Sequence, residues 1–198
     1  MTGIIDYGAG NTASVGYALS RLGADFIISD SVDELKKCKR LILPGVGSAR
    51  FAMESLREKG VIDLITGWKK PFLGICLGMQ LLVDHSEEGD IDCLGVIPGK
   101  CILFDRDKTK VPLMGWNRVV FTDFSGLFSG LHSGEWFYFA HSYYIPGSPF
   151  TIAESENCGH YSAAIQKDNF FGVQFHPEKS STQGKQLLQN FIEMEVKC

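Results

Sequence analysis

Pro71 to Ile75, PFLGI, is a short uninterrupted apolar run, and no other segment limits the possible folds of this chain as much. A strand with one wet face alternates apolar and polar residues, so a continuous run belongs to a strand covered on both faces. The residues before it repeat that theme. Gly3 to Tyr7 reads as a strand and Gly8-Ala-Gly-Asn11 as a turn, after which Val15, Ala18, Leu19 and Leu22 fall at helical spacing up to a stop at Gly23. Asp25 to Ser29 is a second strand, Ser31-Val-Asp-Glu34 has the form of a capping box opening a short helix, and Arg40 to Leu43 is a third strand running into Pro44-Gly-Val-Gly47. Ala52 to Glu58 and Ile62 to Trp68 read as helices. Strand alternating with helix implies an α/β fold of three layers: an open, mostly parallel sheet with helices on both sides.

Beyond about Gly89 the texture changes to short β-type runs at Gly95 to Ile97, Cys101 to Phe104, Trp116 to Phe121, Phe137 to Ala140, Ser162 to Gln166 and Phe171 to Phe175. These read as antiparallel strands extending or flanking the sheet. Thr182 to Val196, with Leu187, Leu188, Phe191, Ile192 and Glu195, reads as an amphipathic closing helix. With 198 residues, 44% of them hydrophobic, one domain over 1–198 with a well-buried core is expected. A net charge of -4 with scattered Lys and Arg argues against a nucleic-acid partner. The N-terminus lacks the pattern of an export signal, and no stretch approaches the roughly 18 apolar residues of a membrane span. No membrane partner and a cytoplasmic location are the expectations.

The six cysteines, Cys38, Cys76, Cys93, Cys101, Cys158 and Cys198, are widely spread with no C-x-x-C pair, which argues against a disulfide or zinc framework. Most read as small buried hydrophobes and Cys198 as a free thiol at the tail. Cys76 differs. It is the centre of Gly74-Ile-Cys76-Leu-Gly78, the cysteine form of a G-x-nucleophile-x-G elbow, between the buried strand and a helix starting near Leu77. Glycines on either side permit a tight turn that pushes the central side chain into the open, and a helix N-terminus favours thiolate over thiol. The plainer alternative is a buried cysteine in a glycine-rich turn; elbow, strand and helix together favour a nucleophile.

A thiolate needs a proton shuttle, and His176-Pro-Glu178 follows the last apolar run, at the sheet edge where open α/β folds bind ligands. The histidine can protonate a leaving amine and then activate water, while Glu178 holds the imidazole's tautomer and orientation. His85, His132, His141 and His160 keep the plainer reading of core or surface histidines. An oxyanion in acyl transfer needs donors. The N–H of Leu77 supplies one, and the loop of Val46 and Gly47 a second, its alternative being a plain tight turn.

GICLGMQ at 74–80, HPE at 176–178 and the glycine loop after the third strand resemble the class I glutamine amidotransferases. Within that family the chain is most similar to the glutaminase subunits of imidazole glycerol phosphate synthases, through DYGAGN at 6–11, LPGVG at 43–47, MGWN at 114–117, YFAHSYY at 138–144 and FHPEKSS at 175–181. The resemblance spans essentially the whole chain. It implies that Cys76, His176 and Glu178 hydrolyse L-glutamine through a γ-glutamyl thioester, that Gly47, Gln80, Ser142 and Tyr143 bind the substrate, and that neither metal nor organic cofactor takes part. It further implies a heterodimer with a synthase (cyclase) subunit built as a β/α barrel, which uses the ammonia in histidine biosynthesis to make imidazole glycerol phosphate and AICAR. Asn11, Trp116 and Tyr138 match positions at or near that interface; a turn cap for Asn11 and core aromatics for the other two are their alternatives. One departure is local: the family often reads GVGAF where this chain has GVGSAR, with Ala49 in place of the aromatic and Arg50 after it.

Three other uses of the same residues are open at this point. One is a related glutaminase serving amidation of a bacterial surface sugar, another a stand-alone Cys-His peptidase or γ-glutamyl hydrolase, and the last a non-catalytic binding module. The complete Cys76, His176 and Glu178 set argues against the last.

Overall fold

The structure is a computed structural model and describes residues 1–122 and 126–195. The alternating half appears in the expected order: β1 (Thr2–Ile5), α1 (Thr12–Arg21), β2 (Phe26–Ser29), α2 (Val32–Lys36), β3 (Arg40–Gly45), α3 (Ala49–Glu58), α4 (Ile62–Thr66), β4 (Phe72–Cys76) and the single-turn α5 (Leu77–Gln80). Then come β5 (His85–Ser86), β6 (Ile91–Asp92), β7 (Lys100–Leu103), β8 (Leu113–Phe121), β9 (Glu135–His141), β10 (Tyr143–Tyr144), β11 (Thr151–Glu156), β12 (His160–Lys167), β13 (Phe170–Val173) and α6 (Ser181–Glu193).

Nine strands form one sheet in the order β2-β1-β3-β4-β13-β12-β11-β8-β9, and β10-β7-β5-β6 form a small second sheet. The five strands from β2 to β13 are parallel; β12, β11, β8 and β9 extend the sheet antiparallel. All five residues of β4 are buried, as a two-sided strand requires. Its alternate side chains serve different layers. Leu73 and Ile75 pack with Val15 and Leu19 of α1 and Leu187, Leu188 and Phe191 of α6, whereas Phe72 joins Leu35, Ala52, Met53 and Leu56 on the opposite face. These are the two helical layers about the sheet.

Several local expectations are corrected. Gly95 to Ile97 is not a strand: its N–H groups donate to the carbonyls of Val83 and Leu82, so the backbone is satisfied by the turn after α5. Phe171 to Val173 belongs to a strand parallel to β4, since it returns from the antiparallel hairpin into the gap beside that strand, and Gln174 and Phe175 lie past its end. Thr151–Glu156, a strand in the structure, carries too weak an apolar alternation to read as one. Ser31 makes no side-chain cap to α2; instead Ser29 Oγ donates to Glu34 Oε2 at 2.5 Å and accepts from Ser31 N at 3.0 Å. The closing helix stops at Glu193, leaving Glu195 outside it, and Val196 and Cys198 lie outside the described residues. Cys38 and Cys101 are buried as expected, but Cys158 is exposed, with a φ of 53° between Asn157 and Gly159.

Candidate active site

β3, β4 and β13 lie side by side and parallel, so their C-terminal ends deliver three segments to one place: Val46–Gly47 after β3, Cys76 closing β4, and Gln174 to Glu178 after β13. Cys76 sits at φ 54° and ψ -110°, a backbone that non-glycine residues adopt only under strain. The glycines around it hold it there. A Cβ on Gly74 would come within 2.5 Å of the Gly78 carbonyl oxygen, one on Gly78 within 1.9 Å of the Leu43 carbonyl oxygen, and one on Gly45 within 2.5 Å of Gly78 N. The turn therefore closes only if those three positions lack side chains.

The elbow does not push its side chain into solvent. Cys76 is 5% exposed and lines a cavity of 330 Å³ with Val46, Gly47, Leu77, Gln80, Glu88, Ser142, Tyr143 and His176. That size falls at the low end of small-molecule sites. A larger recess of 570 Å³ lies on the far side of Glu178, lined by Arg21, Lys179 and Lys185, and does not include the cysteine.

His176 Nδ1–H donates to Glu178 Oε1 at 2.8 Å, and both side chains are almost fully buried, at 4% and 2% exposure. Burial disfavours the charged imidazole, but the Cys76 sulfur and the Glu178 carboxylate outweigh it and hold the ring above its ordinary 6.5. The backbone around the pair is fixed by β9, which curls back over the end of β13. His176 N donates to the Tyr138 carbonyl at 2.8 Å, and Ser180 Oγ accepts from Tyr138 N while donating to the His176 carbonyl. The same strand brings the Ala140 carbonyl to 3.7 Å from Cys76 Sγ.

The structure thus gathers Cys76, His176, Glu178, Val46, Gly47, Leu77, Gln80, Ser142 and Tyr143 around one cavity or its wall. Tyr7, fully buried, donates from its hydroxyl to the Pro44 carbonyl at 2.9 Å and anchors the base of the glycine loop. Asn11 caps α1, its side chain accepting from Ser14 N at 3.1 Å. Trp116 and Tyr138 are not core aromatics: they pair across β8 and β9 on an outer sheet face, with Trp116 half exposed and Met114, Val120 and Trp136 exposed beside them. Their spacing alternates with Phe137, Phe139 and Val119, which fill the core.

Three more residues belong to the site. Gln174 is fully buried and reaches the Cys76 sulfur with its Nε2 at 3.7 Å; a polar residue inside the apolar run FFGVQF was its signal in the sequence. Glu88 lines the cavity, half-buried, with Oε2 accepting from Ala49 N at 2.8 Å, and burial raises its carboxyl pKa. Nothing in SEEGD distinguishes it from a solvated loop. His141 is buried with its Nδ1–H on the Tyr143 carbonyl at 2.8 Å; burial pulls it down to about 4, so it is neutral at pH 7. No group of His, Cys, Asp and Glu among the described residues has the arrangement of a metal site.

A family model described as glutamine amidotransferase class-I matches residues 3–194. The imidazole glycerol phosphate synthase subunit HisH 2 of Legionella pneumophila (strain Lens) is 43% identical over 199 residues, covering 100% of both chains. The imidazole glycerol phosphate synthase subunit HisH of Bacteroides fragilis is 45% identical over 193 residues, 96% of this chain and 98% of that one. Among solved structures, one described as a glutamine amidotransferase superposes with a TM-score of 0.75 at 20% identity over 97% of each chain. A glutamine amidotransferase from Thermotoga maritima gives 0.65 at 17% identity over 96% of this chain and 81% of that one. At those identities the likeness of the solved structures is one of fold.

Proposed function

The chain belongs to the class I glutamine amidotransferase family, and we propose that it is the glutaminase subunit of an imidazole glycerol phosphate synthase, releasing ammonia from L-glutamine for a synthase subunit of histidine biosynthesis. One observation carries the chemistry: the strained, glycine-collared Cys76 faces the buried His176–Glu178 pair across the ends of two adjacent parallel strands.

In this reading Cys76 Sγ attacks the side-chain carboxamide carbon of glutamine, and the carbonyl electrons move onto oxygen. Backbone N–H groups of Leu77 and of the Val46–Gly47 loop serve that oxyanion. Collapse of the tetrahedral species expels the amine, which takes a proton from the His176 imidazolium and leaves as ammonia. Water then attacks the γ-glutamyl thioester, His176 takes its proton, and the thiolate departs from glutamate. Glu178 keeps the proton on Nδ1, so Nε2 is the atom that exchanges protons with substrate. At the other end of the cavity Glu88 holds the α-ammonium of glutamine and Ser142 and Tyr143 its carboxylate end, with Gln80 against the side chain.

The outer face of β8 and β9, with Met114, Trp116 and Tyr138, together with Asn11, is the surface for the synthase, a β/α barrel in a cytoplasmic heterodimer. Exposed Trp116 and Trp136 on the same face as Met114, which is exposed and lines the cavity, support it. Among the described residues no helix is long and apolar enough to cross a membrane.

The test is glutamate release by the purified chain, alone and with a histidine-pathway synthase subunit plus its phosphoribosyl substrate. Strong stimulation by the loaded partner is expected. Glutaminase activity indifferent to that partner would leave Cys76 as nucleophile and assign the ammonia to a different acceptor; absence of any glutamine turnover in both conditions would overturn the reading.

A further inference from the structure

The side chains behind the nucleophile form a hydrogen-bonded line whose direction is fixed from its far end. Gln80 Nε2 donates to the Tyr143 backbone carbonyl at 2.8 Å, and a carbonyl can only accept, so the Gln80 amide nitrogen must point that way. The same nitrogen lies 2.9 Å from Gln174 Oε1, which uses its second hydrogen. Gln174 is thereby oriented with its oxygen toward Gln80 and its NH2 toward Cys76 Sγ, at 3.7 Å. Both glutamines are buried, Gln80 at 3% and Gln174 at 0% exposure. No rotation of either amide improves the line, because flipping one sets donor against donor or acceptor against acceptor.

We propose that Gln174 is a further residue of the reaction centre, a neutral N–H donor that holds the Cys76 sulfur in its thiolate form and is itself aimed by Gln80 from the Tyr143 carbonyl. The inference rests on Cys76 being the nucleophile. Among the described residues, two groups of opposite preference meet the sulfur apart from the imidazole. The Ala140 carbonyl, at 3.7 Å, can accept only from a thiol and so favours the protonated form; the Gln174 N–H favours the anion. A neutral donor suits this place because it stabilises the thiolate without competing with His176 for the proton. Its burial removes water as a substitute donor, so the effect is not replaced when the amide is lost. The line also ties the sulfur to Tyr143, the strand residue proposed to hold the substrate, without passing through the imidazole.

The experiment is the pH profile of Cys76 alkylation by iodoacetamide, with Cys76→Ala as the background for the other cysteines, together with kcat and KM for glutamine in the synthase complex. Among the described residues, the titratable groups about the sulfur are His176 and Glu178 after β13, His141 on β9, Tyr143 on β10, Tyr7 after β1, Glu88 after β5 and Lys179, with Cys101 on β7 further off. None is altered by Gln174→Met, which keeps the volume and removes the donor. The midpoint of alkylation should rise by about 1 pH unit, the scale of one hydrogen bond to a charged group, with kcat falling about tenfold and KM changing less than about threefold. Gln174→Glu retains an acceptor for Gln80 and sets an oxygen against the sulfur, so its midpoint should rise further than that of the Met variant. If Gln174→Met fails to fold, the Glu variant alone decides. A folded variant of either kind with the wild-type midpoint overturns the proposal, whether or not the wild type is a glutaminase. A shifted midpoint in the variants, with a wild-type chain that releases no glutamate, would instead sustain the line and sink the assigned activity.

Discussion

Replacing Glu178 by Gln changes the charge beside His176 while keeping the shape of the side chain, and the structure sets the size of the effect. The carboxylate is 2% exposed and accepts from Nδ1 at 2.8 Å, so almost no water screens the pair. Among the described residues Glu178 Oε2 has no hydrogen-bond partner, which leaves the amide of the variant free to turn, and a protonated Nδ1 selects the orientation with the carbonyl oxygen facing it. What is lost is the difference between a hydrogen bond to a charged acceptor and one to a neutral acceptor, on the order of 1.4 kcal/mol, or about 1 pKa unit. The His176 imidazolium is held above 6.5 by Cys76 and Glu178 against the opposing effect of burial, so removing one of the two lowers it. The basic limb of the pH–kcat profile should therefore move to lower pH by about 1 unit, with kcat at neutral pH, well below the raised pKa of about 10, changed little by the titration itself. Stability follows the same sign. A histidine whose folded pKa is raised stabilises the fold fully below 6.5 and loses that contribution as pH rises through the raised value, so the variant's stability deficit should be largest at mildly acid pH and shrink as pH rises. Steady-state kinetics and urea unfolding across pH read both effects. An unmoved basic limb in a folded variant would refute the argument that Glu178 acts through the imidazole.

Cys76→Ala should abolish glutamate release while leaving thermal unfolding and synthase binding close to wild type, checked by calorimetry and titration; residual turnover would remove Cys76 as the nucleophile. Gly78→Ala places a methyl 1.9 Å from the Leu43 carbonyl oxygen in a layer of backbone that cannot yield, and a loss on the order of 3 kcal/mol or more in urea unfolding is expected. Glu88→Gln removes the anion proposed to hold the substrate ammonium, so KM for glutamine should rise about tenfold with kcat changing less than about threefold; an unaltered KM would place the ammonium elsewhere. His141 is depressed to about 4 by burial, so it opposes the folded state increasingly as pH falls from 6.5 toward 4, and His141→Phe should flatten that limb of the stability profile.

The parts of the site that the sequence revealed are those whose physics is local. An elbow needs glycines two residues either side of the nucleophile, and Gly74 and Gly78 are visible without any knowledge of the fold. The uninterrupted run at Pro71 to Ile75 likewise announced a strand buried on both faces, which β4 is. His176 and Glu178 stand two residues apart, so their pairing could also be read. What stayed hidden depends on register and on chain reversal. That Phe171 to Val173 pairs parallel with Leu73 to Ile75 follows from where β12 turns, not from composition. Glu88 joins the cavity because Ala49 at the start of α3 donates to it, a contact across 39 positions with no periodic trace. The Ser29 hydroxyl displaced Ser31 from its expected cap for a similar reason: the end of β2 brings it to Glu34 first.

A cysteine at φ 54° has a further meaning for how this chain can vary. Glycine would occupy that position without the roughly 1–3 kcal/mol of backbone strain that a side chain incurs there. Judged by folding alone, then, Cys76 is less favourable at its own site than glycine, and drift toward greater stability would discard it. The collar of Gly45, Gly74 and Gly78 leaves the turn no neighbouring conformation in which to relax. A lineage that lost the need for the sulfur would be free to become more stable at this one codon.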